Sequence, residues 1–454
     1  MTDRTARWAG GVSRRRFLGM MAGTAGAVAG APYVVPSSAL GKAGGAAPSE
    51  RITIGMIGMG RQAAHSNVRA FLSYPDTQVV AVCDADAWRL PNARKQVDGH
   101  YAGRQRSGTY QGCGAYGDFR EVLARADVDA VMISTPDHWH VPMAVAAAQA
   151  GKDICCEKPL TLSIAEGRIL ADTVRRYGRV FRTDSEFRSH WFFQRACQYV
   201  LNGRIGKVRT IRSGVPKGDA ACPPQPTMPV PEELDYEMWL GPAPLAPYTL
   251  KRVQPRHGYG RPGWMRCRDY CDGMICNWGT HLNDIVQWGN GTDRTGPVEV
   301  EGTGEFPADG LWNVLLSFRC EYKYANGVRL IYENTKGVYV RFEGSEGWIQ
   351  ANYSGRGRHL APEPQSILTS PIRPGEIHLP LKSEKRDFVD CIKTRGQTLA
   401  DAEVGHRTNS LCHLGHIAIQ LGRKLRWDPH TERFGDDLEA DRMLHRPMRS
   451  PWRV

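Results

Sequence analysis

The strongest constraint on this chain is a local one. A short β-branched run, Ile52-Thr53-Ile54-Gly55-Met56-Ile57, feeds the turn Gly58-x-Gly60-x-x-Ala63, and a helix-compatible stretch follows. Gly58 permits the tight turn, Gly60 lets backbone approach a pyrophosphate, and small Ala63 lets helix pack on strand. The free N–H groups at the helix start then face the phosphates. A second strand reads over 78–83 and ends at Asp84. A carboxylate there accepts hydrogen bonds from a ribose diol and repels a 2′-phosphate, which predicts NAD rather than NADP. The glycines alone are a weak signal. Strand, turn, helix, strand and acid together are a specific one, and they assign Gly58, Met59, Gly60, Arg61, Gln62 and Asp84 to the cofactor.

The alternation continues downstream. Helix is expected over 116–126, 141–150 and 162–177, and strand over 129–135, 152–156 and 179–184. Strands alternating with helices imply an α/β Rossmann domain with a doubly wound parallel sheet, whose ligands sit at the carboxyl ends of the strands. Thr135, Pro136, Trp139, His140, Glu157 and Lys158 therefore join the cofactor crevice, with Trp139 as a wall of the nicotinamide pocket. From about residue 186 the pattern changes. A helix over 191–202 precedes strand-like runs at 208–212, 298–303, 311–318, 327–333 and 339–343. Grouped strands suggest an α+β substrate domain. The long stretch 213–275 is proline-rich and carries Tyr236, Trp239, Tyr248, Tyr259, Trp264 and Tyr270, suited either to stacking on sugars or to packing on the sheet. Two amphipathic helices follow, around 385–394 and 401–421, and then a basic tail.

The N-terminus is an address. Ser13-Arg14-Arg15-Arg16-Phe17-Leu18 precedes the uncharged run 19–36, the form of a twin-arginine export signal. Small-x-small sites allow cleavage after Ala29 or after Ala39. The expected organisation is signal 1–39, linker 40–50, Rossmann domain 51–185, substrate and oligomerisation domain 186–430 and tail 431–454. Export places the protein in the periplasm or beyond, with no stable membrane insertion after cleavage. With 41% hydrophobic and 23% charged residues the chain is globular. A net charge of +12 invites a nucleic-acid partner, but the charges are dispersed and no zinc-finger, RNP or basic-helix block occurs, so none is expected. Cys267, Cys271 and Cys276 lack paired Cys-x-x-Cys spacing and read as buried thiols or one disulfide rather than a metal site. His406, His413 and His416 read as core or surface histidines. No metal is assigned.

At Glu157-Lys158-Pro159-Leu160 a resemblance to the Gfo/Idh/MocA oxidoreductases becomes specific. The matching pieces are Gly58-x-Gly60-x-x-Ala63, Cys83-Asp84, Thr135-Pro136-Asp137-His138-Trp139-His140, and two later blocks, 234–242 and 278–281. The resemblance covers about 51–430. It implies a Rossmann domain followed by a domain with an open, mostly antiparallel sheet, NAD(P), a sugar, polyol or glycoside substrate oxidised at a secondary hydroxyl, and a homo-oligomer formed through that sheet.

Oxidising a carbinol requires a base for the hydroxyl proton. Lys158, held by Pro159 at the crevice, is the first candidate. Asn277 and His281 are i and i+4 on a helix and share a face. In the family this pair is commonly Asp and His, so the carboxylate that would orient the imidazole is missing here. Asp284 could supply that charge instead. Catalytic roles are assigned to Lys158, His281 and Asn277, while Asp184, Glu186 and Arg188 could reach cofactor or substrate. Three functions compete: a sugar oxidoreductase with tightly bound NAD, a redox-neutral NAD-dependent glycosidase or epimerase, and a silent nucleotide- or sugar-binding protein.

Overall fold

Strands buried on both faces pair in parallel when helices cover each side, and the N-terminal half is built this way. The computed structural model describes Ala47 and residues 50–106, 110–218, 221–353 and 359–454. The twin-arginine motif and both cleavage sites lie outside the described residues. Six parallel strands run β1 (Ile52–Ile57), β2 (Thr77–Cys83), β3 (Gly114–Tyr116), β4 (Ala130–Ile133), β5 (Asp153–Glu157) and β6 (Phe181–Asp184), in the order β3-β2-β1-β4-β5-β6. The strand order reverses between β1 and β4, which is where a doubly wound sheet opens a ligand crevice. Gly58 N–H donates to Cys83 O at 2.8 Å and Ser134 N–H to Ile57 O at 2.7 Å, binding three strand ends together at that point.

The second sheet holds eight strands: β7 (Val208–Val215), β8 (Pro297–Glu305), β9 (Ser317–Tyr324), β10 (Arg329–Asn334), β11 (Tyr339–Gly344), β12 (Trp348–Asn352), β13 (Leu360–Glu363) and β14 (Leu425–Arg426). Their order is β13-β12-β11-β7-β10-β9-β8-β14, antiparallel except where β7 meets β10. One face is apolar. Ile211, Leu330, Tyr332 and Phe342 pack against Phe193, Leu282, Ile285 and Leu411 from helices Trp191–Leu201, Gly279–Asn290 and Ala402–Leu421. Cross-strand pairs of opposite charge, Arg212 with Glu343 (3.1 Å) and Arg319 with Glu333 (2.6 Å), lie on this sheet as well.

Two expectations shift. The apolar run 311–316 is not strand; pairing begins at Ser317. Its side chains serve packing instead: Leu311 and Trp312 cover a small core, and Trp312 Nε1 donates to Lys251 O (3.0 Å). The expected helix 116–126 contracts to Phe119–Ala124, capped by Asp118, because Gly114–Tyr116 pairs with β2. The long connection after β7 makes a core of its own from Leu234, Trp239, Tyr248, Val253 and Tyr270. It is stitched to the parallel sheet beyond β2 through Ala87 N–H to Glu233 O (2.7 Å) and Asp235 N–H to Ala85 O (2.9 Å). Residues 431–454 add helix Leu438–Arg442, and Trp452 then meets Trp139 edge-on at 4.7 Å. All twelve cysteines are free and buried, which leaves the thiol reading and removes the disulfide. Among the described residues no helix is long and apolar enough to cross a membrane.

Candidate functional site

A cavity of about 710 Å³ opens at the carboxyl ends of the parallel strands and reaches the second sheet's helices. Its nucleotide side is the glycine turn. Gly58 sits at φ +86°, and a Cβ there would lie 2.6 Å from Ser134 O, so only glycine fits. At Gly60 a Cβ would meet nothing within 4 Å: this residue faces open space, as close approach by a phosphate requires. The following helix starts with a wide π turn, Ala63–Asn67, which brings Asn67 Nδ2 to Glu157 Oε1 (2.9 Å) and Ser134 Oγ (3.0 Å). Asp84 accepts from Met59 N–H (2.6 Å) and Asp86 N–H (2.9 Å), tying the second strand end to the turn. Burial pushes its carboxyl up to about 6, against the opposing pull of Arg89 and those two N–H groups. A carboxylate has about four acceptor sites, so two remain for a ribose diol. Thr135 Oγ1, on the same cavity's wall, is buried without a partner among the described residues. The residues present therefore fit a dinucleotide.

The roof comes from the long connection. Arg89 Nη2 donates to Gly258 O (3.2 Å), and its guanidinium lies 5.2 Å from the Tyr259 ring centre. Gly258, Tyr259, Arg261 and Trp264 line the cavity above the glycine turn, whereas Tyr236, Tyr248 and Tyr270 pack in the connection's own core.

On the far side, Lys158 Nζ donates to the main-chain carbonyl of Asn277 at 3.0 Å. The segment carrying Lys158 is pinned by His140 Nδ1 on Pro159 O (2.8 Å) and Asn409 Nδ2 on Thr161 O (2.8 Å). Asn277 ends helix Met274–Asn277 and His281 belongs to the next, Gly279–Asn290; Trp278 between them keeps helical backbone angles, so both side chains line the cavity. His281 has no hydrogen-bond partner among the described residues, and its Nδ1 is fully buried. What orients the ring is stacking on Phe187, 4.7 Å between centres and 22° between planes. Burial, with the positive charges of Lys158, His190 and Lys385, holds its pKa well below the ordinary histidine value. The imidazole is therefore neutral at physiological pH.

Residues 52–185 match the family model described as "Oxidoreductase family, NAD-binding Rossmann fold", and residues 222–454 match "Oxidoreductase family, C-terminal alpha/beta domain". The chain belongs to the Gfo/Idh/MocA oxidoreductase family. An uncharacterized oxidoreductase, ORF334, of Rhizobium meliloti is 34% identical over 161 residues, covering 36% of this chain and 44% of that protein. An alpha-N-acetylgalactosaminidase of Shewanella oneidensis is 34% identical over 176 residues, 36% of this chain and 37% of its own length. The chain thus spans less than half the length of these curated relatives. In fold it is similar to GenD2 from gentamicin A biosynthesis, solved with NAD (TM-score 0.60, 18% identity, 85% of this chain and 98% of that one). It is also similar to levoglucosan dehydrogenase, solved with NADH and levoglucosan (TM-score 0.57, 19% identity, 83% and 99%).

Against this Gfo/Idh/MocA frame the expected site residues divide. Gly58, Gly60, Arg61, Gln62, Asp84, Thr135, Pro136, Trp139, Glu157, Lys158, Asn277 and His281 all line the one cavity. Met59 and His140 stand behind it: Met59 is in the core and contributes its N–H, and His140 bridges Pro159 O and Thr135 O (3.0 Å). His138 is buried against Trp239 O (3.0 Å), and burial with the nearby Arg446 charge brings its pKa down to about 3. Asp284 does not replace the missing carboxylate. Both its oxygens are taken, by Arg188 (2.6 Å) and Ser185 Oγ (3.0 Å), in a buried ion pair that Arg188 shares with Asp293.

Two charged groups complete the wall. Glu186 lines the cavity with no hydrogen bond to its carboxylate among the described residues, and burial, with Glu384 and Asp184 adding, raises its pKa. Lys385, which the sequence reading gave only as the start of an amphipathic helix, is buried and reaches Asp184 Oδ2 at 2.7 Å and Glu384 Oε1 at 3.0 Å. Burial opposes its charge, but Asp184, Glu384 and Glu157 outweigh that and hold it protonated. A signal for it existed. Lys385 precedes Phe388, Val389 and Ile392 at the 3, 4 and 7 spacing of an apolar helix face.

Proposed function

We propose that the protein exchanges hydride between NAD and a secondary hydroxyl of a sugar, polyol or glycoside, with the cofactor kept through turnover. One observation carries the reading: Lys158, Asn277, the neutral His281 and Glu186 meet in the cavity that begins at the glycine turn and Asp84. When bound, NAD supplies the hydride-accepting centre. The rest falls to this chain. Gly58 and Gly60 give backbone to the pyrophosphate, and Asp84 takes the ribose diol. Lys158, fixed on Asn277 O, donates a hydrogen bond to the substrate hydroxyl oxygen and so favours its deprotonation. His281 receives the proton at Nε2, the ring nitrogen not sealed into protein. Asn277 takes a neighbouring sugar hydroxyl, and Trp278 and Tyr353 offer flat apolar faces to the sugar ring.

Retention of the cofactor is supported by the roof over the nucleotide side, where Arg89, Gly258 and Tyr259 close on one another. It is also what export would demand. Arg14-Arg15 followed by Phe17-Leu18 supports passage in a folded, loaded state into a compartment without an NAD pool. A homo-oligomer through the eight-stranded sheet belongs to the same reading, and sedimentation velocity tests it. A second reading, redox-neutral glycoside cleavage or epimerisation, is favoured by relatives named as glycosyl hydrolase family 109 proteins.

One experiment separates the readings. The purified chain, given a panel of glycosides and polyols without added cofactor, is followed for bound NADH by absorbance and for released aglycone. Bound NADH that accumulates alone supports the oxidoreductase. Aglycone release with no net NADH establishes the redox-neutral route, and the absence of both signals defeats the proposal.

A further inference from the structure

We propose that Asp272, Cys276 and His413 form a binding site for a zinc-class divalent cation, behind the cavity described above and independent of the reading given to it. Sequence spacing hides the site, because Asp272 and Cys276 lie just before helix Gly279–Asn290 while His413 lies on the distant helix Ala402–Leu421. The fold brings their donor atoms together. Asp272 Oδ2 lies 3.1 Å from His413 Nδ1 and 3.9 Å from Cys276 Sγ, and Cys276 Sγ lies 4.0 Å from His413 Nδ1. Zinc bonds of about 2.0–2.3 Å in a tetrahedron set donors about 3.3–3.6 Å apart, so small rotamer movements close this triangle on one ion. All three residues are buried. A thiolate, an imidazole and a carboxylate together select zinc over magnesium or calcium, which prefer oxygen ligands.

The surroundings are those of a ligand set. Asp272 Oδ1, the oxygen turned away from the triangle, faces His416 Nδ1 at 3.5 Å and Arg268 Nε at 3.9 Å. His413 Nε2 is 3.2 Å from Thr161 O, which accepts its proton when Nδ1 binds a metal. Asn409 Nδ2, 2.9 Å from the same nitrogen, has Thr161 O as its other acceptor. Among the described residues His416 Nε2 is buried with no partner. A cavity of about 450 Å³, lined by Asp272, His413, His416 and Arg268, gives an ion a way in and a water the fourth position. Binding releases the Cys276 thiol proton to solvent and moves the His413 proton from Nδ1 to Nε2; the ion's two charges are then balanced by one thiolate and one carboxylate. The consequence is positional. Cys276 precedes Asn277, whose carbonyl holds Lys158, so the ion would fasten the catalytic turn to the C-terminal helix.

The test uses the full purified chain, incubated with zinc and then freed of loose metal by gel filtration. Elemental analysis is expected to find one zinc per chain, and Cys276→Ser and His413→Gln to retain at least tenfold less. Cobalt(II) added to metal-free protein should give a thiolate-to-cobalt charge-transfer band in the difference spectrum, lost in Cys276→Ser. Wild-type protein that retains no metal, a cobalt spectrum without the thiolate band, or a band that survives Cys276→Ser overturns the proposal. Should a variant fail to fold, the wild-type cobalt spectrum decides alone.

Discussion

The two walls of the large cavity are wired differently. On the nucleotide wall several polar groups are held before any ligand arrives, Asp84 by two backbone N–H groups, Glu157 by Asn67 and His140 by main-chain carbonyl oxygen, although Thr135 Oγ1 and Asp137 Oδ2 are buried there without a partner among the described residues. On the substrate wall fewer are held. Among the described residues His281 has no hydrogen-bond partner, Glu186 has none, and Lys158 has one main-chain carbonyl. Buried polar groups are nearly always paired, so the unpaired Nδ1 of His281 needs an explanation. The difference teaches where recognition is prebuilt and where chemistry is left open. A satisfied wall is a rigid mould for a resident molecule, whereas an unsatisfied one is completed by a substrate that comes and goes.

The largest effect should come from the open wall. Lys158→Ala is expected to lower substrate-dependent reduction of bound NAD by about 10⁴-fold, the upper range for a proton-handling group, while NAD stays bound. Mass spectrometry of the denatured variant checks the second half; a folded but empty protein would move Lys158 to the other wall. Lys385 tests whether a cavity lysine must be catalytic. Clamped by Asp184 and Glu384, it is a structural charge, and Lys385→Met should cost about 3–5 kcal/mol of stability by leaving Asp184 unpaired. Urea unfolding of both proteins measures this. A variant as stable as wild type would remove the distinction between the two lysines.

The closed wall was legible in the sequence and part of the open wall was not, for a physical reason. Gly58, Gly60, Asp84 and Glu157 sit at strand ends whose positions follow from local alternation, a parallel sheet delivers all strand ends to one edge, and Lys158 of the open wall follows from the same edge. Asn277 and His281 were readable as a helical pair. Glu186 was readable just past the last parallel strand, whereas Lys385 and Tyr353 reach the cavity from segments far along the chain, and no local period encodes that meeting. The Asp272–His413 approach escaped for the same cause. The apolar run 311–316 misled in the other direction, since a packing role against the long connection and a strand role use the same side chains.

His281→Ala should lower turnover by about 10²-fold with the dinucleotide retained, less than Lys158→Ala because Lys158 still stabilises the substrate alkoxide. Steady-state kinetics with the substrate found in the panel gives the number. Unchanged turnover would mean that the open wall carries its proton chemistry on Lys158 and Glu186 alone.

The smallest effect tests the comparison most directly, because it adds the missing partner. Asn277→Asp places a carboxylate in the cavity with His281, and an anion nearby favours the imidazolium, raising its pKa. A shift of one unit corresponds to about 1.4 kcal/mol. If neutral His281 is the base, the acidic limb of the pH–rate profile moves to higher pH. Stability should respond in the same sense. In the wild type the folded His281 binds a proton far less readily than the unfolded chain, so stability falls as pH drops below about 6.5, where the unfolded histidine charges. Raising the folded pKa narrows that window from its acid end, and Asn277→Asp should lose less stability in total between about pH 6.5 and the acid limit of folding than wild type. Parallel urea titrations across that range read it out. An unmoved rate profile together with an unchanged stability slope would show that residues 277 and 281 do not feel one another, and that stacking on Phe187 sets the histidine's behaviour by itself.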